Sequence, residues 1–262
     1  MNRIEKKFKE LKKIRKKAFI AFITAGYPDL QTTEKLVGGL DKAGVDIVEL
    51  GVPFSDPMAD GPMIQEASFE ALKKKTHLID ILKMVKRARK TADLPICLMT
   101  YYNPIFVFGE EKFVRQAVAC GVDGVIVPDL PPEEGRPLIS LANKYGLDVI
   151  CFIAPTTSLK RMEYIVKIAR GFIYYVSLTG VTGARKALPA DLIKKIKTIK
   201  KITEKPVCVG FGVSTGIQVK QVSKIADGVI IGSAIVKIIK ENIGRPDLVK
   251  RVSNFVKSLS NS

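Results

Sequence analysis

Eight short runs rich in β-branched and apolar residues recur along the chain, and a lysine-rich stretch with helical spacing follows each of them. The runs are AFIAFITAG, VDIVELG, PICLMTY, VDGVIVPD, LDVICFIA, FIYYVS, PVCVGFG and ADGVIIGS. Strand–helix alternation from end to end is the signature of a parallel sheet with its helices outside. Eight units predict an α/β fold of one kind, a single closed (β/α)8 TIM barrel. The 262 residues match the roughly 250 that such a barrel needs. A doubly wound open sheet is the structural rival, since strand counting does not see closure. The G-x-G-x-x-G turn that often marks it is absent after the first run. No linker or low-complexity segment interrupts the pattern, so residues 1–262 read as one domain.

Ahead of the first run, residues 1–17 are strongly basic, and Ile4, Phe8, Leu11 and Ile14 form one stripe at helical spacing. This predicts an extra N-terminal amphipathic helix packed on the barrel. The segment has no apolar core of the kind a secretory signal carries, and no apolar run elsewhere nears the ~20 residues of a membrane span. The four cysteines, Cys97, Cys120, Cys151 and Cys208, form no C-x-x-C pair and lie among apolar residues. They read as buried free thiols in a reducing cytoplasm. The single histidine, His77, is expected near the surface, with Thr76 capping a helix. One histidine and no cluster at metal-ligand spacing leave no metal site to predict. The net charge of +17 comes mostly from lysines spread over helical faces, with no basic motif of a nucleic-acid binder. Such charge can still draw in an anionic ligand.

The chemistry therefore has to rest on carboxylates, hydroxyls, lysines or the backbone. An internal echo, AGVDIVELG, CGVDGVIVPD and IADGVIIGS, places Asp46, Asp123 and Asp227 just ahead of three even-numbered strands. These belong to the floor of the barrel and stabilise it; active sites of this fold lie at the other end, where the strands finish. At that end sits VELGVPFSDPMADGP, residues 48–62, a long and proline-stiffened connection holding Glu49, Asp56 and Asp60 beside Phe54 and Met58. Glu49 falls near the end of the second run and is expected to project toward the mouth. Asp60 precedes Gly61-Pro62, where a helix should begin, so it can cap that helix; Asp56 can fix a turn. Two carboxylates facing one mouth among apolar groups offer more. Burial raises a carboxylate's pKa, so one can keep a proton while the other stays ionised.

Opposite lies glycine. SLTGVTGAR follows the sixth run, GFGVS ends the seventh and IGSAIV closes the eighth, with Ser233 opening a helix. Glycine allows a ligand close to the backbone, and N–H groups at a helix start bind phosphate, which this fold often holds after its seventh and eighth strands.

Together VELGVPFSDPMADGP, FITAGYPD, LMTYYNPIF, GVDGVIVPDLPPEE, SLTGVTGAR and ADGVIIGSAIV resemble the tryptophan synthase alpha subunit family, in order and from the first strand to the last. The resemblance implies a carbon–carbon lyase that cleaves indole-3-glycerol phosphate to indole and glyceraldehyde 3-phosphate. It also implies a beta subunit as partner, carrying the pyridoxal phosphate, in an α2β2 complex to which indole is passed. No cofactor is implied for this chain. By the same resemblance Glu49 is the proton-transfer acid and Asp60 the carboxylate beside the indole N–H. Gly183, Gly212, Gly232 and Ser233 match the phosphate positions. Phe22, Ile64, Tyr101, Tyr174, Thr182 and Phe211 match positions around the substrate or the closing loop. The loops PFSDPMADGP and LTGVTGARKALP then read as a lid, with Thr182 reaching Asp60 on closure. The seventh helix opens with STGIQV where the family usually has Pro-Glu or Gly-Glu. Two alternatives stay open: a free-standing lyase, and a catalytically silent barrel kept as a binding or activating subunit.

Overall fold

The computed structural model describes residues 1–176, 188–210 and 212–260. Its strands are β1 (Ala18–Thr24), β2 (Ile47–Gly51), β3 (Ile96–Met99), β4 (Gly124–Ile126), β5 (Asp148–Ile153), β6 (Ile173–Val176), β7 (Val207–Gly210) and β8 (Gly228–Ile231). All neighbours pair in parallel, and β1 pairs with β8 as well as β2, so the sheet closes. The open-sheet rival is thereby excluded. Ahead of the barrel comes α1 (Arg3–Lys13), and α2 (Leu30–Lys42) follows β1. After β2 come α3 (Pro62–Lys73) and α4 (Leu78–Ala88); after β3, α5 (Tyr102–Phe108) and α6 (Glu110–Cys120). Single helices follow the next four strands: α7 (Arg136–Tyr145), α8 (Leu159–Ile168), α9 (Ala190–Ile202) and α10 (Gly216–Ser223). The chain ends with α11 (Ser233–Glu241) and α12 (Leu248–Ser260) after β8.

Two apolar layers hold this together. One lies between strands and helices. The other fills the barrel, with Ile20, Ile47, Cys97, Ile126, Ile150, Tyr174, Cys208 and Ile230 each coming from a different strand. Ile4, Phe8 and Leu11 of α1 join that inner layer, and the Phe8 ring stands 5.8 Å from that of Phe172 at the start of the sixth strand. The N-terminal helix is thus a plug in the floor, which is why its apolar stripe exists. Ile14 corrects the stripe: it caps the helix and is exposed, because α1 ends at Lys13 rather than running on to residue 17.

The echoed aspartates are pins between neighbouring strands. Asp46 Oδ2 accepts from the Phe19 N–H of β1 (2.8 Å), Asp123 Oδ2 from the Ile96 N–H of β3 (2.9 Å), and Asp227 Oδ2 from the Val207 N–H of β7 (3.1 Å). Each carboxylate, one residue ahead of its own strand, satisfies the first N–H region of the strand beside it. Asp123 also pairs with Arg89 and Arg3, and Asp227 with Lys17 and Lys200.

The four cysteines are free; three are buried and Cys120 is half-buried on the last turn of α6. His77 is exposed, as expected, but it is itself the residue that begins α4, with its N–H donating to Asp80 Oδ2 at 3.4 Å. Thr76 is buried against Gly26 instead of capping. At the start of α10, Thr215 and Gln218 form a reciprocal capping box, so STGIQV supplies its own helix start without an acid. Among the described residues no helix is long and apolar enough to cross a membrane, and no group of three or more metal-ligating side chains is found.

Candidate active site

Glu49 is the middle residue of β2, flanked in the sheet by Phe22 of β1 and Cys97 of β3. It shares the inward face with Ile47, so it stands inside the barrel below the rim rather than at the mouth's edge. Its side chain is buried, and neither carboxyl oxygen has a hydrogen-bond partner among the described residues. Burial, and then the charge of Asp60, push its pKa from 4.5 up to about 8. An acid in that state holds a proton at neutral pH and can still release it. The thiols of Cys97 and Cys208 below it are also pushed up by burial, which keeps them neutral.

Asp60 sits at the end of the β2–α3 connection. Gly61, not Asp60, is the capping residue of α3, with Pro62 in the first turn. The carboxylate turns instead toward the end of β3, where Oδ2 accepts from the Tyr101 hydroxyl at 2.9 Å. Burial raises the Asp60 pKa and this hydrogen bond opposes the rise. The two acids are near enough for Asp60 to repel charge on Glu49, yet among the described residues only Glu49 of the two lacks a donor. Asp56 is exposed and accepts from the adjacent Ser55 hydroxyl.

Aromatic rings join the two sides of the site. Phe22 lies over Gly51, where an added Cβ would come within 2.5 Å of Cζ, and touches the same position at Gly232 at 3.3 Å. Tyr174 is buried in the inner layer with its ring 4.7 Å from Phe152, and its hydroxyl fills the space beside Gly210. Burial and then Glu49 and Asp60 raise its pKa, which places it within electrostatic reach of both acids. Ile64 is half-buried in the first turn of α3 and packs on the outer core.

The glycine side is formed at the ends of β7 and β8. Gly212 has φ +55°, and an added Cβ there would meet nothing within 4 Å. Gly232 starts α11, whose first intrahelical bonds run from Ile235 and Val236 back to the Gly232 carbonyl at 2.8 and 3.0 Å. The N–H groups of Ser233 and Ala234 therefore point out of the helix start, where an anion is favoured. Thr182, Gly183 and Phe211 lie outside the described residues.

Thr24 was invisible to sequence reasoning. It ends β1 on the face of Ile20 and Phe22, and it is buried with its hydroxyl unpartnered. Only Glu49 shares that condition among the described residues. Every residue of β1 is buried, so no alternation in the sequence singles it out.

The family model for the tryptophan synthase alpha chain matches residues 8–261. A tryptophan synthase alpha chain from Geobacter sulfurreducens is 50% identical over 259 residues, 99% of this chain and 98% of that one. One from Geotalea uraniireducens is 48% identical over the same length, covering 99% and 97% of the two chains. Among solved structures, tryptophan synthase subunit alpha from Legionella pneumophila superposes with a TM-score of 0.93 at 41% identity, covering 100% of this chain and 98% of that one. A likeness of this depth, over the whole barrel and not its phosphate end alone, settles descent: the chain belongs to the tryptophan synthase alpha chain family.

Proposed function

We propose that the reaction of this family, cleavage of indole-3-glycerol phosphate to indole and glyceraldehyde 3-phosphate, runs here through Glu49 as proton shuttle and Asp60 as fixed anion. The observation that carries the reading is the split between the two acids: one dry and without a partner among the described residues, the other held by a phenol. Breaking the bond between indole C3 and the glycerol carbon leaves an electron pair that needs a sink. Glu49 donates its proton to C3, which makes the ring iminium-like and able to take the pair. Asp60 stabilises the positive ring N–H. The ionised Glu49 then removes the proton from the glycerol hydroxyl as the carbonyl forms and the carbon–carbon bond breaks, so it ends the cycle protonated again. A pKa of about 8 leaves roughly nine-tenths of Glu49 protonated at pH 7 while keeping it a usable base.

The phosphate is assigned to the N–H groups around Gly212, Gly232 and Ser233, joined by Gly183. Phe22 and Tyr174 flank the indole between the two ends, with Ile64, Tyr101 and Phe211 around it and Thr182 on the lid. Alpha chains of this family need no cofactor of their own; pyridoxal phosphate is assigned to the beta subunit. Met58 on the connection after β2 and Phe106 and Val107 on α5 after β3 are 83%, 66% and 78% exposed, and such apolar side chains around a mouth suit a docked partner. This favours a complex with a beta subunit over a free-standing lyase; the α2β2 stoichiometry, one barrel domain per alpha chain and a cytoplasmic location are carried over from the family reading.

The test is indole formation from indole-3-glycerol phosphate, with and without a beta subunit. Strong activation on mixing is expected, and full activity of the alpha chain alone would point to the free-standing enzyme. Glu49→Gln should lose at least ~10²-fold in turnover, the usual lower share of general acid–base catalysis, while still binding glyceraldehyde 3-phosphate. Asp60→Asn should fall severely and Asp56→Asn only mildly. Normal turnover in Glu49→Gln would remove the shuttle.

A further inference from the structure

The segment that carries Asp60 is tied down at several points. From α3, Ser68 Oγ accepts from the Phe54 N–H at 2.9 Å, and Gln65 Nε2 donates to the Asp60 carbonyl at 2.9 Å. A separate tie comes from the end of the neighbouring strand, β3. Tyr101, the residue that starts α5, is buried, and its ring stacks on Phe54 with centroids 5.1 Å apart and planes 27° apart. Its hydroxyl accepts from the Ala59 N–H at 2.9 Å and donates to Asp60 Oδ2 at 2.9 Å.

The direction of these bonds follows from the groups. An amide N–H can only donate, so the phenol oxygen receives there and its own proton must go to the carboxylate. Burial and the Asp60 charge raise the Tyr101 pKa, so the phenol stays a donor throughout the working range. Among the described residues Asp60 Oδ1 accepts from nothing.

We propose that Tyr101 is a positioning residue. By occupying Oδ2 and clamping the Ala59 backbone, it presents Oδ1 as the acceptor for the substrate's ring N–H and keeps Asp60 in its acceptor-only, ionised form. The inference rests on the reading of Asp60 given above and adds a cause for it. A purely structural phenol would hold the loop without affecting how Asp60 titrates. A positioning phenol must affect both.

Tyr101→Phe keeps the ring and its stack on Phe54 and deletes only the hydroxyl. Its kcat/KM for indole-3-glycerol phosphate should fall roughly ten- to a hundredfold, the worth of a hydrogen bond to a charged group. The sign on pH is fixed: the lost donor stabilised the ionised carboxylate, so the Asp60 titration followed by 13C NMR should move to higher pH. The acidic limb of kcat/KM should move with it. Tyr102→Phe is the control, since Tyr102 gives its hydroxyl to Glu110 at 3.0 Å and not to Asp60; it should shift neither. An Asp60 titration unchanged in folded Tyr101→Phe overturns the proposal. Should that variant fail to fold, Asp60→Asn serves instead. Removing the charge must then shift the Tyr101 13Cζ resonance, and an unmoved resonance is equally fatal. The activity of the wild-type complex judges the lyase reading separately: absence of indole there would sink that reading, while the NMR measurements still decide the coupling.

Discussion

Glu49 and Asp60 show how little residue type decides by itself. Both are carboxylates beside one mouth, and burial raises the pKa of both, but among the described residues Asp60 has a phenol donor and Glu49 has none. The difference has a consequence for stability that can be measured apart from catalysis. Folded Glu49 binds its proton more tightly than the unfolded side chain, whose pKa is near 4.5. Its contribution is therefore fully present below pH 4.5 and is lost as pH rises through about 8. Gln has no proton to lose. Glu49→Gln should thus equal the wild type in urea unfolding near pH 4.5 and exceed it by on the order of a few kcal/mol above pH 8.5. Equal stability at both pH values would mean that Glu49 is not desolvated. Gly51, on the same inward face, gives a steric test. Gly51→Ala would place its Cβ 2.5 Å from the Phe22 ring, so the ring has to move off the site. Overpacking of this kind costs about 1–3 kcal/mol, and the displaced ring should raise KM for the substrate. A KM unchanged in that variant would take Phe22 away from the indole.

At the scale of the element, α1 and the β2–α3 connection show what tertiary contacts add to a local pattern. The first 17 residues are strongly basic, and their apolar stripe predicts a helix packed on the barrel. The stripe Ile4, Phe8 and Leu11 makes α1 a floor plug, and the lysines are what remains outside once that stripe is buried. Phe8→Ala should accordingly cost about 3–5 kcal/mol in unfolding free energy, as for a buried core ring. The active-site chemistry, one barrel length away, should keep its kcat in the folded fraction. A loss below 1 kcal/mol would show that α1 rests on the barrel without filling it. The β2–α3 connection is long and polar in sequence, yet it is tied through Phe54, Ala59 and Asp60. Prolines and a small set of hydrogen bonds make it a support for an acid. At α10, the Thr215–Gln218 pair shows that a helix start can change its residues and keep its physics.

Over the whole molecule, the barrel separates stability from chemistry: aspartate pins at the floor, acids and glycines at the mouth. Asp123 carries the heaviest load at the floor, since it satisfies the Ile96 N–H and pairs with the mostly buried Arg89 and with Arg3. Asp123→Ala leaves a buried guanidinium without its anion and should cost about 3–5 kcal/mol, seen as a lower urea midpoint with kcat per folded molecule unchanged. Equal loss of kcat would tie floor and mouth together. Much of this was legible beforehand. Strand–helix alternation repeated eight times dictates a parallel sheet, the Gly-Val-Asp and Ala-Asp echoes mark the floor, and the acid-bearing loop and glycine clusters mark the mouth, because these depend on local pattern and short-range spacing. What local pattern could not hold is direction and distance. The strand IVELG is buried throughout, so no periodicity tells that Glu49 faces inward; only closure of β1 on β8 sets an inside. The pairing of β2 with β3 decides that Tyr101, 41 residues from Asp60, supplies its hydrogen bond. Closure of the barrel strips Glu49 of solvent, and leaves Thr24 buried with no hydrogen-bond partner among the described residues. The sequence by itself determined which residue types were available and in what order. The tertiary structure alone decided which of them share a dry space, and in a medium that screens charge poorly it is that sharing which sets whether an acid keeps its proton.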